Sequence, residues 1–156
     1  MAKIDLKELA EQLDFMFDGW SYFVNRKTGE IISIDDTHLG IAEELDESDE
    51  IPDEFSEWES DAIEQARELL DNWDDMIRLP SKEELREYDM MEDFTESVKD
   101  AHIRDCLEIS IQGRGAFRRF KDTAIRFGVI DSWYEFKSQA LMEYAKEWCE
   151  MHDLEF

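Results

Sequence analysis

A formal net charge of −25 on 156 residues constrains this chain more than any other feature, because its 42 Asp and Glu side chains must lie on the outside of whatever it folds into. Charge of that size works against compaction. In the opposite direction, 42% of the residues are hydrophobic and 12% aromatic, five Trp among them, and a chain of this length buries roughly 68–70% of the surface its unfolded form exposes. The composition therefore argues for a folded domain with an acidic surface rather than for disorder. One domain over residues 1–156 is the expectation. Such a surface disfavours direct binding to nucleic acid or to an anionic membrane and suits a basic protein partner, with solubility as the plainer reading.

The N-terminal stretch carries Asp5, Glu8, Glu11 and Asp14 where a signal peptide needs an apolar core, and no apolar run approaches membrane-spanning length. The two cysteines, Cys106 and Cys149, form neither a CxxC pair nor a dense framework, so reduced thiols and a cytoplasmic setting are expected.

Leu6, Leu9, Ala10, Leu13, Met16 and Phe17 recur at helical spacing and predict an amphipathic first helix ending at Gly19. Residues 20–34 place β-branched and aromatic side chains on either side of a polar turn containing Gly29, which predicts a β-hairpin. Residues 76–79 are a candidate third strand, since a two-stranded hairpin is marginal alone. Between Thr28 and Ala66 there is no Lys or Arg. This acidic block, about 35–61, is expected to be partly loop, around residues 47–53, because Pro52 disfavours a helical Ile51 and like charges repel along a helix. Helix is predicted to resume near Ser56 with an apolar stripe of Trp58, Ala62, Ile63, Ala66, Leu69, Leu70 and Trp73. Ser81 and Glu84 form a capping-box pattern opening a helix through about Val98, and Ser132 and Glu135 repeat that pattern ahead of a final helix. Between them, an arginine-rich helix-loop-helix has its stops at Gly113 and Gly128; with the final helix it covers residues 100–152. Trp133, Phe136, Tyr144, Trp148, Phe117 and Phe120 are predicted to be mostly buried around one core. The fold class is α+β, mostly helical, with a small antiparallel hairpin or sheet near the N-terminus.

Two segments carry charge dense enough to suggest binding. The first is acidic, with Glu43, Glu44, Asp46, Glu47, Asp49, Glu50, Asp53 and Glu54 as a candidate surface for a basic partner. The second is basic. From Gly113 to Lys137, six basic residues stand against three acidic ones, and Gly113, Arg114, Gly115, Arg118, Arg119 and Lys121 are a candidate anion site at a predicted helix start. The competing reading is that these arginines pair with the protein's own carboxylates. Phe117, Phe120, Ala124 and Phe127 share a helical face beside the arginines; their spacing suits a buried stripe better than base stacking.

No catalytic constellation is legible. His38, His102 and His152 have no ligand-like spacing to one another or to the cysteines, so no zinc site or Cys–His nucleophile is expected. Adjacent pairs such as Asp35-Asp36, Asp74-Asp75 and Glu83-Glu84 arise from composition alone among so many acids. No metal and no cofactor is therefore assigned, and no oligomeric state follows.

The order of Leu79-Pro-Ser81, Met91-Glu-Asp-Phe94, the segment from Gly113 to Asp122, Trp133-Tyr-Glu-Phe136 and Ala145-Lys-Glu-Trp148, with Lys27-Thr-Gly-Glu30 in the hairpin, resembles the bacterial Uncharacterised Protein Family 0158. The resemblance covers most of the chain, least distinctively over residues 35–61. It implies a bacterial or phage-borne, soluble, single-domain protein and brings no biochemical role. From the residues themselves, the expectation is a non-enzymatic acidic binding protein that docks on a basic protein surface, with its carboxylates standing in for nucleic-acid phosphates, as an inhibitor or adaptor. The alternative is a small anion- or nucleotide-binding module acting through residues 113–121.

Overall fold

The computed structural model describes residues 2–45 and 49–156. Helix dominates, with a three-stranded antiparallel sheet near the N-terminus, as the α+β reading requires. The chain separates into two compact units: residues up to Leu79 together with Trp148–Phe156, and Pro80–Glu147.

In the first unit, α1 (Leu6–Asp14) starts where the Asp5 carboxylate accepts the backbone N–H groups of Lys7 and Glu8. It buries Leu9, Ala10 and Leu13 and then stops, short of Gly19. The expected inward face fails at its end: Met16 is buried, whereas Phe17 is 65% exposed. Once the helix has ended, the 3.6-residue period no longer decides which way a side chain points.

The hairpin forms as expected from β1 (Trp20–Asn25) and β2 (Ile31–Asp35), with Phe23 opposite Ile32 and Ser21 opposite Ile34. Asn25 organises the turn, its side-chain oxygen accepting from the N–H of Lys27 at 2.9 Å, and Gly29 adopts φ +75°. The short strand expected after residue 75 is present as β3 (Met76–Arg78), which pairs with the other edge of β1 and gives the order β2-β1-β3.

The acidic segment contains a helix, ahead of the expected loop, that the sequence reading did not place. Asp35 caps α2 (Asp36–Glu44) by accepting the N–H of Thr37 at 2.8 Å. Six of the nine α2 residues, Thr37 to Ala42, are uncharged, so like-charge repulsion acts only at its two ends. Residues 49–52 have no regular structure, in keeping with Pro52. Helix resumes at α3 (Glu57–Asp71), whose N-cap Ser56 forms a reciprocal capping box with Glu59. Ile63, Ala66 and Leu69 are its buried positions, and with Phe23, Ile32, Ile34 and Ala42 they make the core of this unit. The predicted stripe overreached at both ends, since Trp58 is 67% and Trp73 51% exposed; each meets its neighbours by an edge, Trp58 against His38 and Trp73 against Phe23.

In the second unit the Ser81–Glu84 capping box is present, but it opens only the single-turn α4 (Lys82–Leu85). Arg86 takes a left-handed conformation, φ +55°, and the run predicted as one helix resumes as α5 (Glu87–Ser97). α6 (Ala101–Ser110) and α7 (Ala116–Arg126) follow with the expected stops: Gly113 and Gly128 both have positive φ. α8 (Ile130–Met151) begins two residues before Ser132, so Ser132 lies inside the helix and is not its cap. Phe94, Phe120, Trp133 and Phe136 pack edge to face with centroid separations of 5.0–6.1 Å, apart from the stacked Trp133–Phe136 pair at 6.5 Å. Of the six aromatics expected around one core, Phe120 and Trp133 are buried in this unit and Phe136 and Tyr144 half-buried, Trp148 is buried but belongs to the first unit, and Phe117 is 47% exposed. The buried stripe of α7 is Ala116, Phe120 and Ala124, four residues apart, which leaves Phe117 at its edge.

Candidate interaction surface

On α2 the buried positions are His38 and Ala42, so Glu43 and Glu44 face outward. Glu50, Asp53 and Glu54 are exposed as well, and none of these five carboxylates has an ion-pair partner among the described residues. Asp49 is exposed, and its backbone carbonyl accepts from the guanidinium of Arg67 at 2.6 Å. Asp46 and Glu47 lie outside the described residues. Arg67 also approaches Glu64, at 3.9 Å, beside a cleft of about 760 Å³ lined by Ala42, Leu45 and Leu70 with Glu43, Glu64 and Asp71. The candidate acidic surface is thus a run of outward carboxylates over an apolar α2–α3 core, with one arginine held among them.

In the basic segment Arg119 departs from the carboxylate pairing expected of an internal arginine. Arg119 is turned back onto the loop: its Nε donates to the Ser110 carbonyl at 3.1 Å, and its two terminal nitrogens donate to the carbonyls of Gln112 and Arg114. Its partners are the backbone carbonyl of the last α6 residue and two carbonyls of the following loop, not the carboxylates expected of an internal pair. Gly115 permits this, since a Cβ there would lie 3.2 Å from the Arg119 guanidinium. Arg118 is 90% exposed and meets Asp122 at only 3.9 Å. Arg114 and Lys121 are exposed without an ion pair among the described residues. Gly113 and Gly115 both hold positive φ at the start of α7, as a helix-start loop requires. The loop therefore gathers three carbonyl oxygens around one arginine, and Arg114, Arg118 and Lys121 remain outside that arrangement.

Behind it, a cleft of about 380 Å³ is lined by Cys106, Ile109, Ser110, Arg119, Asp122, Thr123 and Arg126. Cys106 Sγ lies 3.9 Å from His102 Nε2, one turn back on α6. The i, i+4 spacing of this pair is visible in the sequence, and it corrects the expectation that no histidine is spaced to meet a cysteine. Among the described residues, no group of three or more His, Cys, Asp or Glu side chains is arranged to hold a metal ion, and no helix is long and apolar enough to cross a membrane.

The sequence reading missed an aromatic knuckle between α1 and β1. Phe15 is 64% and Trp20 44% exposed, alongside Phe17, while Met16 between the two phenylalanines points inward. The backbone here is held firmly. The Phe17 N–H donates to the Tyr22 hydroxyl at 2.9 Å, the Trp20 N–H to the Phe17 carbonyl at 3.3 Å, and Gln12 Nε2 to the Phe15 carbonyl at 2.9 Å. Gly19 supplies the positive φ, +83°, that closes the Phe17–Trp20 turn, and its carbonyl accepts from the N–H of Asp36 at the start of α2. The legible signal was Asp18-Gly19, a turn pair placed too early for the helix to run past Asp14.

No solved structure and no functionally curated protein matches this chain. The model of one family does match, over residues 2–156, and so covers both compact units: the chain belongs to the uncharacterised protein family UPF0158.

Proposed function

We propose that this chain is a non-enzymatic binding protein that docks through its acidic surface on a basic protein, as an inhibitor or adaptor, with carboxylates taking the place of nucleic-acid phosphates. The observation that supports this reading is the set of exposed carboxylates at Glu43, Glu44, Glu50, Asp53 and Glu54, uncompensated by ion pairs among the described residues, on a chain of net charge −25. Placing so many like charges together costs stability through self-repulsion, and a cationic surface relieves it.

The test is capture of partners from native lysate at low salt, followed by binding kinetics with the purified partner. Affinity is expected to fall steeply with salt, because the screening length shrinks from about 10 Å at 0.1 M to about 3 Å at 1 M. The variant E43Q/E44Q/E50Q/D53N/E54Q is expected to associate more slowly while melting at or above the parent temperature. Duplex DNA should compete for the partner if the carboxylates occupy a phosphate-binding surface. Salt-insensitive binding, or unchanged association by the variant, argues against the acidic surface as the docking face.

A further inference from the structure

We infer that Phe15, Phe17 and Trp20 form the apolar anchor of a docking surface for a cationic amphipathic segment of a protein partner. The inference rests on the acidic-docking reading and adds to it the part of the surface that supplies contact rather than charge. Three observations carry it.

First, these are three large aromatic side chains exposed within six consecutive residues, a density that the chain's other exposed aromatics, Trp58, Trp73, Phe117, Tyr134 and Phe156, do not reach. A protein surface loses free energy by holding such side chains in solvent, and aromatic residues dominate the energetics of interfaces. Second, the knuckle is pre-organised. The hydrogen bonds to Tyr22, Gln12 and Gly19 fix its backbone from both flanking elements, so a partner does not have to order it on binding. Third, its charge selects the occupant. Glu8, Glu11, Asp14 and Asp18 are the only charged residues between Lys7 and Arg26. A second copy of the chain would bring another −25 against this surface, and an anionic membrane is repelled in the same way. A segment with apolar side chains on one face and lysine or arginine on the other satisfies both the rings and the acids around them.

The test compares two probes by calorimetry on the full chain at one low salt concentration: a synthetic Leu–Lys amphipathic helix and an oligolysine with the same number of lysines. The parent protein is expected to bind the Leu–Lys helix about tenfold more tightly than oligolysine. The variant F15S/F17S/W20S should lose that preference and keep its affinity for oligolysine. Because Trp20 sits in β1, Phe15→Ser and Phe17→Ser are also measured singly, and each should reduce the preference in a protein that melts like the parent. The carboxylate-to-amide variant described above separates the two ideas: it should weaken both probes and leave their ratio intact. If it binds both probes like the parent, the acidic-block reading fails while the anchor stands. The anchor is overturned if the parent shows no preference or if the preference survives the serine substitutions. It is equally overturned if those substitutions abolish self-association in sedimentation, which assigns the rings to a second copy, or binding to phosphatidylcholine vesicles, which assigns them to a membrane.

Discussion

The guanidinium of Arg119 donates from Nε to the carbonyl of Ser110 at 3.1 Å, and through this contact α7 closes the open end of α6. Ser110 is itself buried, so its carbonyl would otherwise be left poorly hydrated at a helix terminus. Neighbouring arginines in one sequence run thus differ completely in role: Arg119 satisfies carbonyls of its own loop, and Arg118 projects into solvent.

Replacing Arg119 by Gln is therefore expected to destabilise the protein by about 1.5–3 kcal/mol, the range for charge-assisted hydrogen bonds, whereas Arg118→Gln should stay within about 0.5 kcal/mol. Urea unfolding of the two variants is the measurement. Equal midpoints for both would contradict the loop-bonding role of Arg119.

Trp133 is fully buried among Phe94, Phe120 and Phe136, yet its indole N–H has no hydrogen-bond partner among the described residues. Its contribution then comes from shape and area alone. Trp133→Ala should cost about 3–5 kcal/mol, while Trp133→Phe should cost much less, because it fills most of the space and gives up no hydrogen bond. The comparison of the two melting curves decides this: equal losses would mean that the indole N–H is bonded in solution.

The elements that could be read from the sequence are those fixed by local chemistry. Ser81–Glu84, the Gly29 hairpin, and the glycine stops at Gly113 and Gly128 each appear where their residues dictate. What could not be read depended on which side of an element meets another. Phe17, Trp58, Trp73 and Phe117 all keep apolar spacing, but each lies at or beyond an end of its helix, where periodicity no longer fixes direction. α2 went unread because only His38 and Ala42 of its nine residues are buried, too few to show a helical period. Of the candidate sites, the carboxylates could be placed outside by composition alone. The fate of Arg119 could not, because it depends on three carbonyls whose direction is set by the loop and not by residue type.

Gly29 combines two demands. Its φ of +75° is left-handed, and a Cβ on it would stand 2.7 Å from the backbone oxygen of Lys3, closer than real Cβ contacts come. Gly113 has a similar φ, +73°, with nothing within 4 Å of that position. Gly113→Ala should therefore cost only the conformational penalty, about 1–2 kcal/mol, and Gly29→Ala clearly more, since the segment before α1 must also shift. Chemical denaturation of both variants tests the difference; equal losses would show that the Lys3 segment yields freely.

Cys149 is buried, and burial pushes its thiol from an ordinary 9.0 up to about 11, whereas Cys106 is partly exposed beside His102. An alkylating reagent should accordingly label Cys106 in the folded protein and reach Cys149 only on unfolding. The raised value also sets a pH dependence. Between pH 9 and 11 the unfolded chain has released the Cys149 proton while the folded chain retains it, so stability is intact below the lower value and falls as pH rises. The slope should approach about 1.4 kcal/mol per pH unit within that window. Tyr144, raised by burial and secondarily by the Glu84 carboxylate, adds a loss of the same sign that begins as pH passes its ordinary value of 10.0. Urea midpoints measured from about pH 8 to about pH 11 should decline in the parent and decline less in Cys149→Ala, which lacks the buried thiol. A variant that follows the parent slope would show that the alkaline loss arises elsewhere, and labelling of Cys149 under native conditions would show that its site opens to solvent.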